Sequence, residues 1–471
     1  MMKQLTLTLL AAGVLTGCSL APRYERPAAP VATVYPTEPG QAGSVTADAG
    51  WREFFPDQRL QALITAALAN NRDLRIAALR IEEARAQYNI QSADLLPNLN
   101  ATASGSRGRT PADLSSRSVS SVGSSYQVGL SLASFELDFF GRVRSLNDAA
   151  LAQYLATEEA ARSARITLVA EVAKAYLAVQ AFDEQYDLAR KTFESRETAY
   201  KLAKQRFDVG ASSALDLRQN ETLVQSARAS LAALARQRAQ AVNALNLLVG
   251  TQQQNLPASQ SLDEQNIVTD IPAGLPSDLL TRRPDIRATE QRLIASNANI
   301  GAARAAFFPR ISLTAGIGTA SSELSGLFDA GSRTWSFAPQ MVLPIFDAGR
   351  NRASLNLAQV RNNVAVAEYE KTIQTAFREV ADALAARATL DEEIDAQRAV
   401  QEAQAERLKL AELRYENGVA SSLDVLDAQR ELFSAQQALI QARLLRLTNA
   451  IDLYRALGGG LNETSVAKAP Q

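Results

Sequence analysis

An internally duplicated α+β chain, with long coiled-coil helices and two strands in each copy, is the fold class this sequence predicts. The duplication is the first observation. Arg206-Phe207-Asp208-Val209-Gly210 runs into ASSALDL (211–217), and Arg414-Tyr415-Glu416-Asn417-Gly418 runs into VASSLDV (419–425), an offset of 208 residues. The same offset pairs Gly141-Arg142 with Gly349-Arg350, Glu171-Val172-Ala173 with Glu379-Val380-Ala381, and Gly250 with Gly458. Nearer the start of each copy the offset is 212, pairing Asp73 with Asp285 and Pro97 with Pro309. Solenoid units run about 20–50 residues, so a period this long marks a duplicated fold unit. The other two observations are uninterrupted helical patterns far longer than a globule needs and four segments of period-two alternation.

Each copy repeats one order of elements. A helical segment, roughly 57–95 or 276–306, stops ahead of Pro97 or Pro309, because the residue before proline is pushed out of the helical region. Two strands follow. Leu99, Ala101 and Ala103 alternate with polar neighbours, as do Tyr126, Val128, Leu130 and Leu132, then Ile311, Leu313, Ala315 and Ile317. In the fourth segment Trp335, Phe337, Met341, Leu343 and Ile345 share a face. Such alternation gives a strand one apolar and one wet face, which suits a membrane barrel or a soluble sandwich equally. The Ser/Gly-rich stretches 105–123 and 320–333 read as surface loops.

The long helices cover about 142–208 and 350–416, each on the order of 100 Å at ~1.5 Å per residue. In the first, Val172, Val179, Tyr186, Phe193, Tyr200 and Phe207 recur every seven residues, a coiled-coil stripe. The second keeps Val380, Ile394, Leu408 and Tyr415 but sets Arg387 and Gln401 between them. After a Gly-containing turn comes a shorter helix, about 213–249 or 421–457. Stacked end to end with the helix ahead of the strands, it approaches the length of one long helix. The expected shape is a wall of paired rods with strands at one end and Gly turns at the other.

Composition narrows the function. The 471 residues carry 49 basic and 50 acidic side chains, so the excess positive charge that nucleic acid demands is missing. There is no histidine, which argues against a transition-metal site or imidazole-based catalysis, and no cofactor is expected. Cys18, the one cysteine, closes Leu15-Thr16-Gly17-Cys18. Ahead of it stand Lys3 and an apolar stretch from Leu5 to Leu15, the pattern of an export signal over 1–17. Beyond the signal no apolar run reaches the ~18 residues that a spanning helix needs. A mature chain that crosses a membrane must therefore do so as a closed β-barrel.

Taken in order, Leu15–Cys18, Trp51-Arg52-Glu53-Phe54-Phe55, Phe139-Phe140-Gly141-Arg142, Leu279-Leu280-Thr281-Arg282-Arg283-Pro284-Asp285-Ile286, Arg414 to Asp427 and Tyr454-Arg455-Ala456-Leu457-Gly458-Gly459 resemble the outer-membrane efflux proteins, the TolC superfamily, and within it the lipidated OprM-like channels. The resemblance covers essentially the whole chain after the signal. It implies lipidation at Cys18, and Ser19, where a retained lipoprotein has aspartate, implies sorting to the outer membrane. The resulting division is a signal peptide (1–17), a lipid-anchored arm (18–56), two efflux repeats (57–260 and 261–460) and a tail (461–471). It also implies a homotrimer in which four strands per chain make a twelve-stranded barrel and the helices an α-barrel tunnel. The chain would be the exit duct of a tripartite multidrug pump and not an enzyme. Its partners would be a periplasmic adaptor, an inner-membrane proton-driven transporter and outer-membrane lipid, and not nucleic acid. Closure alone needs at least about eight strands, which two or three chains satisfy.

The resemblance also locates a gate. Gly210 and Gly418 become periplasmic tips that contact the adaptor. Leu423, Asp424 and Asp427 become a ring of leucine and carboxylate that narrows the tunnel and favours cations. Leu423 and Asp427, four apart, share a helix face. Read locally, Ser421 with Asp424 and Ser213 with Asp216 are also capping boxes, whereas Asp427 lies too far into its helix to cap. The family locks its closed tip through Tyr415, Asp216 and a basic residue where this chain has Ala420, so the charged lock is expected to be absent. Two readings compete with drug efflux: a duct of the same fold for protein secretion or metal export, and a structural periplasmic coiled-coil lipoprotein.

Overall fold

The computed structural model describes residues 19–36, 49–114, 119–252, 256–269, 271–272, 274 and 276–463. The export signal, Cys18 and the tail beyond residue 463 lie outside the described residues. After a single helical turn at Trp51–Phe54, α1 (Gln58–Asn70) and α2 (Arg72–Ala93) precede β1 (Leu99–Thr110) and β2 (Ser121–Leu137). The long helix α3 (Arg142–Asp208) and α4 (Ala214–Val249) complete the first copy. The second copy runs α5 (Pro284–Ala305), β3 (Arg310–Ser321), β4 (Arg333–Val342), α6 (Arg350–Glu416) and α7 (Ser422–Ala456). The chain divides into two compact units, one of residues 1–28, 80–158 and 288–370, the other of residues 29–79, 159–287 and 371–471.

In the first unit the strands form one antiparallel sheet in the order β1-β2-β3-β4. Its register places like with like. Ala101, Leu130, Ile317 and Trp335 lie in one cross-strand row, and Leu99, Leu132, Ala315 and Phe337 in the next. The alternate row is Asn100, Ser131, Gly316 and Ser336. Across these two rows one face is apolar, yet Leu130 is 55%, Ile317 60% and Trp335 77% exposed. Among the described residues no core covers this face, and exposed apolar patches of this extent mark a membrane or partner surface. The strands run further than hydrophobic alternation shows. β1 and β2 pair through Arg107–Ser124 and Gly108–Gly123 to Thr110–Ser121, inside the Ser/Gly-rich stretch expected to be a loop, because the ladder is made by backbone whatever the side chain. At the other end β4 stops at Val342, so Leu343 and Ile345 lie beyond it. A bulge between Leu132 and Phe135, with Ser134 at φ 47°, restores Phe135 and Leu137 to the apolar face.

In the second unit the junctions between helices are built twice. Asn71 ends α1 and caps α2, its Oδ1 accepting from the Leu74 N–H (2.9 Å), which is why the helical segment 57–95 breaks there. Its Nδ2 donates to the Leu248 carbonyl at the end of α4 (2.8 Å). In the second copy Arg283, just ahead of α5, donates to the Ala456 carbonyl at the end of α7 (3.1 Å). Asn71 and Arg283 are 212 apart, Leu248 and Ala456 208 apart, matching the sequence offsets. The expected end-to-end stacking of the shorter helices is made at these joints. Gly250 lets α4 close against α1, since a Cβ there would lie 2.5 Å from the Asn70 carbonyl oxygen.

The heptad series is only partly buried within one chain. Val172 is fully buried, but Phe207 is 39% exposed. The buried face of α3 instead follows Val169, Val172, Tyr176, Gln180 and Ala181 toward Ala189 and Arg196. A straight helix drifts about 20° per heptad away from a 3.5-residue stripe, so the two lines diverge along its length. On α6 the polar interruption has a use: Arg387 Nη1 donates to the Ile271 carbonyl of the inter-copy linker (2.9 Å).

Candidate functional site: the paired helical tips

The two Gly turns close the hairpins α3–α4 and α6–α7 in the same way. Gly210 (φ +77°) donates its N–H to the Phe207 carbonyl (2.9 Å), and Ala211 donates to Arg206 (2.7 Å). Gly418 (φ +71°) donates to Tyr415 (3.0 Å), and Val419 donates to Arg414 (2.8 Å). This pair of bonds ends a helix through a left-handed residue, where glycine carries no Cβ penalty. Around each turn the side chains are apolar and open to solvent: Val209, Leu215, Val419 and Leu423.

Asp216 and Asp424 both close capping boxes. The Ser213 hydroxyl accepts the Asp216 N–H (3.1 Å) and donates to Asp216 Oδ2 (2.7 Å). The Ser421 N–H and hydroxyl each donate to Asp424 Oδ2 (3.0 Å). Asp216 also takes a bond from the other tip, since the Ser422 hydroxyl donates to its Oδ1 (2.9 Å). Hydrogen bonds from Ser213 and then Ser422 hold this carboxyl below its usual range. Tyr415 is not bonded to Asp216. Its hydroxyl accepts from Arg206 Nη1 (3.0 Å), and the two side chains face one cleft of about 290 Å³ with Leu202, Ser422 and Leu426.

Asp427 lies between two cations. Arg407 Nη2 on α6 meets its Oδ2 at 2.6 Å, and Arg430 Nη2, one turn along α7, meets its Oδ1 at 2.5 Å. A carboxylate between two guanidiniums is charge-compensated within the chain. Arg407 pairs with Asp427, whereas Tyr415 and Asp216 take Arg206 and Ser422 as partners. The Arg407–Asp427 pair belongs to the second copy, and each link between the tips needs a second-copy side chain that the first copy lacks. The first has Ala199 and Gln219 where the second has Arg407 and Asp427, and Phe207 and Ala214 where it has Tyr415 and Ser422. Arg206, Arg407, Ser422 and Arg430 were not singled out from the sequence. Arg430 had a local signal, lying three residues after Asp427 on one helix face; Arg407, twenty residues away across a turn, had none.

The family model described as outer membrane efflux protein matches residues 63–251 and again 275–459. The chain belongs to the outer membrane efflux protein family. As in the chain itself, the two matched stretches begin 212 and end 208 residues apart. Outer membrane protein OprJ of Pseudomonas aeruginosa is 54% identical over 458 residues, covering 97% of this chain and 95% of OprJ. The toluene efflux pump outer membrane protein TtgC of Pseudomonas putida is 49% identical over 472 residues, 98% of this chain and 97% of TtgC. Among solved structures, the open state of the Neisseria gonorrhoeae MtrE outer membrane channel superposes with a TM-score of 0.87 at 44% identity, covering 96% of this chain and all of that one. This efflux-channel family therefore sets the context of the sheet and the tips: the first belongs in the outer membrane, and the second lies at the end of its helical part.

Proposed function

We propose that three copies of this chain form the exit duct of a tripartite multidrug efflux pump, carrying amphiphilic compounds across the periplasm and outer membrane without chemical change. The observation that carries this reading is the four-stranded sheet with one exposed apolar face and two unpaired edges, β1 and β4. Such a sheet is incomplete as it stands, because open edges are not tolerated in lipid. β1 and β4 run in opposite directions, so β4 of one copy pairs antiparallel with β1 of the next, and three copies give twelve strands. The two efflux repeats, 57–260 and 261–460, then each supply one hairpin of strands and one tip. The exposed Val209, Leu215 and Val419 around Gly210 and Gly418 suit docking of a periplasmic adaptor, which links the duct to an inner-membrane proton-driven transporter. Cys18 carries the lipid that anchors the arm 18–56. Mass spectrometry of the mature protein should find Cys18 acylated, and the Cys18→Ser protein unacylated; an unmodified wild-type terminus would remove the anchor.

At the tips, Leu423, Asp424, Asp427, Tyr415 and Asp216 form the gate. Leu423 supplies the apolar constriction, and the Arg407–Asp427 pair pins α6 to α7 while Arg206–Tyr415 and Ser422–Asp216 pin one tip to the other. Exposed ion pairs contribute roughly 0.2–1 kcal/mol, so losing one shifts an open–closed equilibrium by at most about fivefold per chain. Single-channel recording in planar bilayers should show raised resting conductance for Asp427→Ala and for Arg407→Ala. The double variant should add little to Asp427→Ala, because that change alone already removes the Arg407 pair. Wild-type conductance in both folded single variants would end the gate assignment.

A further inference from the structure

The apolar face of the sheet breaks its own pattern at one end. Directly paired residues share a face, so the register assigns Arg107 and Arg109 of β1 to the same face as Leu99, Ala101 and Ala103, opposite Ser124 and Val122. Arg333 of β4 lies on that face too, opposite Thr319 and two residues before Trp335. The wet face at the same end has Ser106, Gly108 and Thr110 on β1 and Thr334 on β4, without charge. Three guanidiniums therefore occupy positions where the alternation calls for apolar side chains. All three are exposed, and no ion pair joins any of them to another described residue, the loop acids Asp113, Glu323 and Asp329 included.

Their heights agree. Val342 and Leu99 mark the bases of β4 and β1, and from those bases Arg333 stands nine residues up while Arg107 and Arg109 stand eight and ten residues up. With a rise of about 3.3 Å per residue and a tilt of about 40°, that is roughly 20–25 Å above the base, the top of an apolar band about 25 Å tall. Aromatic side chains stand just below: Trp335 beneath Arg333, and Tyr126 opposite Gly105. Trp and Tyr at this level mark the boundary between hydrocarbon and headgroups. The base of the barrel is where the helices attach, so this far boundary belongs to the outer leaflet.

Within one chain β1 and β4 are the two edges, three strands apart. The trimeric closure proposed above, on which this inference rests, brings β4 of one copy beside β1 of the next. Arg333 then joins Arg107 and Arg109 of the neighbouring copy at each seam. We propose that the three seams are binding sites for the phosphate groups of an outer-leaflet phosphorylated glycolipid. Three adjacent guanidiniums repel one another unless an anion lies between them, and the planar fork of arginine matches phosphate oxygens in pairs. The acyl chains of such a lipid continue down the apolar rows through Leu130, Ile317 and Phe337, so one molecule satisfies both the charge and the hydrophobic face. The lipid in turn staples the seam at the one level where β1 and β4 both end in charge.

Native mass spectrometry of the detergent-purified trimer, titrated with bis-phosphorylated lipid A, tests this. Wild-type trimer should retain up to three lipid A molecules, bind the monophosphorylated form more weakly, and bind phosphatidylethanolamine no better than background. Inorganic phosphate at millimolar concentration should not displace the lipid, because it lacks the acyl chains. The R107Q/R109Q/R333Q trimer should bind lipid A about tenfold or more weakly, given that several charge-assisted hydrogen bonds are lost. R333Q alone should weaken it less, and the three lysine replacements should restore part of it. Unchanged lipid A binding by the triple glutamine trimer, or equal binding of phosphatidylethanolamine, would overturn the proposal. Displacement by inorganic phosphate would make the seam a small-anion site and equally overturn it. A wild-type protein that stays monomeric would instead refute the closure, which the same spectra report from the mass of the assembly.

Discussion

Replacing Arg283 with alanine should be among the most destabilising single changes in this protein, costing about 3–5 kcal/mol, the range for breaking one side of a buried ion pair. The guanidinium is almost fully buried and all of its nitrogens are used. Nε and Nη2 grip Asp285 at 3.0 and 2.6 Å, and Nη1 reaches Glu379 at 2.7 Å and the Ala456 carbonyl at 3.1 Å. Burial pulls against the charged form, yet hydrogen bonds and charge from Asp285 and Glu379 outweigh it and leave the group more basic than usual. One side chain therefore joins the start of α5, the body of α6 and the end of α7. Alanine would leave the Glu379 carboxylate, 22% exposed, without this partner and orphan a helix-terminal carbonyl. The first copy supplies the control. Asn71 makes the equivalent joint with neutral bonds to Leu248 and Leu74, so Asn71→Ala should cost only about 1–2 kcal/mol. Thermal loss of the folded oligomer should rank Arg283→Ala well below Asn71→Ala. Equal loss in the two would mean that the charged joint adds nothing to the neutral one.

That joint shows what the sequence could carry. The duplication with its two offsets was legible because it is written in residue identities: the paired glycines, and the Glu171 and Glu379 triplets. The long helices were legible to the residue because period and punctuation agree, Gly141-Arg142 and Gly349-Arg350 opening them and Gly210 and Gly418 closing them. The offsets also pair Asn71 with Arg283, but nothing in the pairing of a neutral with a charged side chain says that each reaches a helix end nearly 180 residues away. The strands were half legible. Alternation marks Leu99 to Ala103, then fades into Ser, Gly and Arg, while the ladder continues because backbone groups do not read side chains. The bulge at Ser134 was invisible because Ala133 and Ser134 are ordinary in a loop. At the tips, motif comparison placed Asp427 but not its partners. Asp427 stands without Arg407 in the sequence, and folding the hairpin brings that cation across to it.

Arginine at Leu130 should prevent a stable membrane-inserted trimer. Leu130 lies mid-strand in β2, in the row with Ala101, Ile317 and Trp335, and its side chain is 55% exposed on the apolar face. If that face meets hydrocarbon, a guanidinium near the midplane costs about 2–4 kcal/mol, and the cost recurs in every copy. Three copies multiply it to roughly 6–12 kcal/mol, comparable with the whole stability of an ordinary domain. The control must come from the wet face. Thr314 is a poor choice, because its Oγ1 accepts the Ser134 N–H at the bulge (3.3 Å), so arginine there would disturb the backbone for another reason. Ser131, one residue from Leu130 and in the row with Asn100, Gly316 and Ser336, is better, since its neighbour Gly316 leaves room for a long side chain that water can solvate. The heat-resistant oligomer on a denaturing gel should disappear for Leu130→Arg and persist for Ser131→Arg. A soluble sandwich core would also reject arginine at Leu130, but then the apolar face would need a second layer, and none packs on it in the described chain. Equal survival of both variants in outer-membrane fractions would show that this face does not meet lipid.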